Sequence, residues 1–199
     1  MPLEFTRRHF TILAAASALT LGTPAFALTE NEARGLVDEV VAEIQKTIKS
    51  GKSDTAVLSD FEKIFTRYAD VNIMAQYALG ADGRSASNAQ KRAFSNAFQG
   101  YIARKYGKRF RDFIGGRVEV ESVREIRAGY EVKTKAYLSG QSPFDVSFHV
   151  SDRSGRDKIF NIFIEGVNLL LTERTEIGAM LDKRGGDINA VAADLKKAG

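Results

Sequence analysis

The stretch Phe144-Asp145-Val146-Ser147-Phe148-His149-Val150-Ser151 alternates apolar and polar residues without a slip. Successive side chains of a strand point to opposite faces, so one face of this segment is buried and the other is wet. Outward from it the same period of two runs through Arg117 to Ile126, Tyr130 to Leu138 and Lys158 to Leu171. The intervening segments, Ala128-Gly129, Ser139-Gly140-Gln141-Ser142-Pro143 and Arg153-Ser154-Gly155, carry turn residues. Connections this short predict an antiparallel meander of four strands. The last strand differs, because Ile159, Phe160, Ile162, Phe163, Ile164, Val167, Leu169, Leu170 and Leu171 place apolar groups on both of its faces. It reads either as a central strand covered on both sides or as the wall of an apolar cavity.

Upstream of Gly115-Gly116 the apolar residues recur at three and four, the period of amphipathic helices. Thr29-Glu30-Asn31-Glu32 is a capping box that opens a helix through Leu36, Val37, Val40, Val41, Ile44 and Ile48. A second starts at Asp54 and carries Leu58, Phe61, Ile64, Phe65 and Tyr68. Asp70 caps a third, short helix that Gly80 and Gly83 end. Ser87-Asn88-Ala89-Gln90 opens the longest, with a break expected near Gly107. Two helices, Thr172 to Lys183 and Asp187 to Lys197, close the chain. Helices first, then a meander, then helices predict a segregated α+β domain; a curved sheet wrapped by helices readily leaves a pocket between them, but periodicity does not say whether an apolar cavity forms here.

The first residues read as a leader. Arg7-Arg8 precede an uncharged segment from Thr11 to Ala27, and Ala25-Phe26-Ala27 is the small-x-small pattern of a cleavage site. Residues 1–27 are therefore expected to be a signal peptide, and 28–199 a single domain. The paired arginines with Phe10 behind them favour the twin-arginine export route over the general one. No second long apolar run follows, so no membrane span is expected in the mature chain. Cysteine is absent, which excludes a disulfide framework, a thiolate metal site and a lipid anchor on Cys. The formal net charge of +4 is too mild to argue for nucleic acid.

Catalytic equipment is thin. The mature chain keeps one histidine, His149, and no carboxylates are spaced around it to complete a metal site. Either it is a general base or, more simply, a solvent-facing strand residue. Glu165, beside Gly166, is either a buried acid of raised pKa or an outward-facing one paired with an arginine such as Arg174. Arg104, Lys105, Lys108, Arg109 and Arg111, interleaved with Tyr106, Phe110 and Phe113, form a basic cluster. It reads as a solvated helix face or as candidate contacts for anionic headgroups or an acidic partner.

The order of several short motifs resembles one family. Phe65-Thr66-Arg67-Tyr68-Ala69-Asp70, Ala78-Leu79-Gly80, Gln90-Lys91-Arg92-Ala93-Phe94 and Tyr101 through Tyr106 are similar to the helical half of MlaC proteins. Phe160-Asn161-Ile162-Phe163-Ile164-Glu165-Gly166-Val167-Asn168-Leu169, then Arg174 and Met180-Leu181 to Gly185-Gly186-Asp187-Ile188, resemble its last strand and closing helices. Asn161 and Asn168 stand where that family usually has Asp and Ser. The resemblance implies a non-enzymatic periplasmic carrier with no cofactor, whose ligand is a phospholipid. Its implied partners are an inner-membrane ABC transporter and an outer-membrane lipoprotein complex, and no nucleic acid. The residues it implies around the acyl chains are Ile73, Met74, Tyr77, Phe98, Tyr101, Ile102, Phe148, Phe160, Ile162, Ile164 and Val167. Burial contributes about 0.8 kcal/mol per methylene, so such a ligand needs no polar site to hold it. A periplasmic adaptor and a small α+β enzyme are the competing readings.

Overall fold

The computed structural model describes residues 27–108 and 113–199. Residues 1–26 of the expected signal peptide, and Arg109 and Arg111 of the basic cluster, lie outside the described residues.

Each helix longer than a single turn begins where a capping side chain can take the first free N–H groups. Helix α1, Glu30–Ile48, opens on Thr29, whose hydroxyl accepts from the Glu32 amide at 3.3 Å while the Glu32 carboxylate accepts from the Thr29 amide at 2.8 Å. Ser53 caps α2, Asp54–Tyr68, and Asp70 caps α3, Val71–Leu79, by accepting from the Ile73 amide at 3.1 Å. A single turn, α4, Asp82–Ser85, precedes α5, Asn88–Gly107, which starts with the second capping box, Ser87 and Gln90. The meander follows as β1, Arg117–Ile126, β2, Gly129–Tyr137, β3, Phe144–Ser151, and β4, Lys158–Ile164.

Beyond β4 the structure departs from the sequence reading. The segment expected as one long strand to Leu171 turns back on itself at Glu165-Gly166. Both residues have positive φ, 49° and 76°, the paired left-handed conformation of a two-residue hairpin. A two-residue strand, β5, Val167–Asn168, returns along β4, and α6, Leu169–Lys183, starts at once. The sheet thus has five strands in the order β1-β2-β3-β4-β5, all antiparallel. The apolar residues on both faces of the expected strand belong to three elements, and Leu169, Leu170 and Leu171 are the first turn of a helix. Asn168 caps that helix, accepting from the Leu171 amide at 3.0 Å. Serine can do the same work. Asn168→Ala is expected to lower stability by about 1 kcal/mol and Asn168→Ser by a few tenths at most. Urea unfolding midpoints of the two variants give the comparison. Helix α7, Ile188–Leu195, capped by Asp187, ends the fold.

Two separate apolar cores result. Helices α3, α5, α6 and α7 surround a helical core built on Phe94, Phe98, Leu170, Ile177, Leu181, Val191 and Leu195. The other core lies where α1 and α2 cover one face of the sheet. The α2–α3 junction joins them, since Tyr68 belongs to the sheet-side core and Ala69 to the helical one. It is pinned to the sheet by the Asp70 amide, which donates to the Ile159 carbonyl at 2.8 Å.

Candidate functional site

The strand register assembles the covered face of the sheet. Val123, Val132, Phe148 and Ile162 stand in one row across β1 to β4, and Val120, Thr134, Val146 and Ile164 in the next. Thr134 is the polar member, and its buried hydroxyl donates to the Val146 carbonyl at 2.9 Å, so it presents no unpaired group to the layer. From the helices come Ala33, Val37 and Val40 of α1 and Phe61, Ile64 and Tyr68 of α2, all buried. Around them Leu36, Val41, Ile44, Ile48, Val57, Val118, Val120, Phe144, Ile162 and Ile164 are only partly buried. A closed core leaves few large aliphatic residues half-covered, whereas this layer has a broad half-covered apolar margin.

Polar contacts hold the layer at its ends. Glu43 of α1 accepts from Arg67 at 2.6 Å and from the Tyr68 hydroxyl at 3.0 Å, tying α1 to α2. The Leu28 amide donates to Asp152 at 3.1 Å, fixing the start of α1 to the β3–β4 turn, and Lys158 donates to the Arg67 carbonyl. Between these ends α1 and α2 meet the sheet through apolar side chains. Such contacts are non-directional and exchange readily for contacts with another hydrocarbon.

The residues expected around an apolar ligand do not share one place. Phe148, Ile162 and Ile164 belong to the layer. Met74, Phe98, Tyr101 and Ile102 belong to the helical core, and Ile73 is half-buried on α3. Tyr77 and Val167 are exposed, Tyr77 beneath the Arg174 guanidinium at 5.1 Å from its ring centre. Phe160 packs at 5.6 Å from the His149 ring, on the sheet face opposite α1 and α2. Their separation has a simple cause, because helical and strand periodicity mark which face is apolar and not which core it enters. The same limit hid the margin residues of α1, α2 and β1, whose stripes are plain in the sequence.

The basic cluster is largely committed within the fold. Arg104 donates to the carbonyls of Ala198 at 2.9 Å and Leu195 at 2.6 Å, and Lys108 to the Gly199 backbone oxygen at 2.7 Å. Lys105 bridges Glu173 and Glu176, at 2.7 Å from each. Tyr106 donates to Glu173 at 2.5 Å and Tyr101 to Glu176 at 2.9 Å. Burial pushes both tyrosines well above the ordinary phenol range; burial acts to lower the Lys105 ammonium, but the two carboxylates hold it above its usual range. These three described cations fasten α5 to α6 and α7.

His149 is half-buried rather than solvent-facing, with the Phe163 ring at 4.6 Å and Glu131 at 3.7 Å. Burial lowers its pKa, and the Glu131 carboxylate only partly offsets this. Because the unfolded imidazole binds its proton more readily, stability is expected to fall as pH drops below about 6.5. His149→Gln removes that part of the loss, which paired melting curves at pH 7 and pH 5 measure. Glu165 is exposed on its turn and accepts from the Asp145 amide. Among the described residues no group of three His, Cys, Asp or Glu side chains is placed to hold a metal, and no helix is long and apolar enough to cross a membrane.

The family model described as MlaC protein matches residues 34–197. Among solved structures, the chain is similar to a phospholipid-binding protein from Ralstonia solanacearum determined in complex with a phospholipid. The two share 20% identity with a TM-score of 0.72, over 83% of this chain and 95% of that one. At this identity the likeness is one of fold.

Proposed function

The chain belongs to the MlaC family, and from that premise we propose that it is a phospholipid-binding carrier of the periplasm rather than an enzyme. The acyl chains lie between the α1–α2 pair and the covered face of the sheet. The headgroup stays at the half-covered margin, in contact with water. The observation that carries this reading is the margin itself, a band of partly buried aliphatic side chains around a layer held by polar contacts only at its ends. The solved relative of this fold was captured with a phospholipid, which supports the same ligand here. In this reading the leader exports the chain, and the carrier moves lipid between an outer-membrane lipoprotein complex and an inner-membrane ABC transporter.

The experiment is organic extraction and mass spectrometry of protein purified without detergent. A near-stoichiometric phospholipid is expected. Val120→Glu, at the margin of the layer, is expected to reduce the recovered lipid at least tenfold while the variant still melts cooperatively, because a carboxylate beside the chains is costly to desolvate. Protein that repeatedly carries no lipid, and takes none up from vesicles, would replace the carrier reading with that of an adaptor.

A further inference from the structure

Away from the sheet, helices α3 and α5 flank a surface groove of about 250 Å³. Asn72, Ala75, Gln76 and Leu79 form one wall, and Asn88, Lys91, Arg92 and Ser95 the other. Spacings of three and four put each set on a single helix face. Ala75 and Leu79 are buried and make an apolar floor. The buried Ser95 hydroxyl donates to Asn72 Oδ1 at 2.8 Å, which orients the Asn72 amide and leaves its NH2 group to donate elsewhere. Lys91 is half-buried and Arg92 exposed, neither has an ion-pair partner among the described residues, and no carboxylate lines the groove. A larger groove of about 450 Å³ between α2 and α5 is different, because Glu62 stands there among Lys63 and Arg67, and Arg67 is already paired with Glu43.

We propose that the α3–α5 groove docks an acidic, extended segment of a partner protein. Two unpaired cations without an acid select an anionic ligand. The amides of Asn72, Gln76 and Asn88 match the alternating donors and acceptors of a peptide backbone, and the floor accepts an apolar side chain. The α5 wall runs for eight residues, Asn88 to Ser95, roughly 10 Å of helix, the length of about three extended residues. A lone phosphate calls for donors converging on one point, whereas these are spread along a wall. A bilayer calls for a protruding apolar surface, whereas this floor is recessed. So small a contact gives transient docking, steered by charge and weakened by salt. This site is separate from the layer proposed to hold lipid.

The test titrates the purified full chain with an eight-residue peptide of alternating glutamate and leucine, followed by backbone amide shifts. Inorganic phosphate and phosphatidylglycerol vesicles are run as parallel probes. Shifts confined to residues 72–79 and 88–95 are expected, reversed by high salt and at least tenfold weaker in K91E/R92E. Recovered lipid and melting temperature should be unchanged in that variant, since neither side chain is a member of either core. Equal peptide binding by K91E/R92E, shifts elsewhere, or occupation of the groove by phosphate or vesicles in place of the peptide would overturn the proposal. K91A/R92A provides the same comparison without charge reversal.

Discussion

Gly129→Ala is expected to prevent the chain from holding a stable native state. Gly129 opens β2 with φ at 140°, and a Cβ built there lies 2.1 Å from the Val150 carbonyl oxygen and 3.0 Å from the Ser151 Cβ. Neither obstacle is the far end of a flexible side chain. The β2–β3 register, in which Tyr130 faces Val150, has to shift to admit the methyl. Dihedral strain alone amounts to about 1–3 kcal/mol, and with the steric conflict the loss should exceed about 4 kcal/mol, a large share of a typical domain's stability. Gly155→Ala is the control, because φ is 83° there but nothing lies within 4 Å of the added carbon. Thermal melts followed by circular dichroism should show Gly155→Ala weakened and cooperative, and Gly129→Ala without a cooperative transition. A normal melt for Gly129→Ala would contradict the close approach of β2 and β3.

Phe98→Ala is expected to lower stability by about 3–5 kcal/mol. The ring is fully buried, 5.8 Å from Phe94 and 6.4 Å from Tyr101 between ring centres, so its removal leaves a vacancy inside the helical core. For a chain of this size the melting temperature should drop by about 10 °C. Phe98 sits in the helical core, so lipid recovered per folded molecule should match that of the parent chain. Val120→Glu has the opposite profile. Should Phe98→Ala release the ligand while still folded, the acyl chains reach further into the helices than the layer against the sheet.

Local rules were enough for most of the element boundaries. Thr29 with Glu32 and Ser87 with Gln90 begin helices because a side chain can take the free amides, and both boxes are readable three residues apart. Phe144 to Ser151 shows its faces for the same reason, since alternation is geometric. Glu165-Gly166 was harder. A glutamate in the left-handed region is uncommon, and its ties to Asp145, twenty residues away, make the turn intelligible: the Glu165 carboxylate accepts from the Asp145 amide and the Glu165 amide donates to the Asp145 carbonyl at 2.9 Å.

The site was less legible than the fold, because periodicity says which side of an element is apolar and is silent on what it will meet. Phe98 and Phe148 look alike in sequence, yet they enter different cores. The cations of α5 are misleading for a related reason. Arg104 and Lys108 find their partners 91 or more residues further along the chain, at distances no local pattern encodes.

That long reach bears on how the molecule is made. Synthesis runs from one end to the other, and α5 emerges well before the carbonyls of Leu195 and Ala198 that Arg104 binds. Every member of the sheet-side core, from the α1–α2 pair to the meander, is present by the time β4 is out, so this unit can form on the ribosome before β5 and α6 pack against its edge. The helical bundle cannot, because Ile188, Val191 and Leu195 are still missing from its centre. A nascent chain halted shortly after β4 should therefore resist protease across the meander while α3 and α5 are cut.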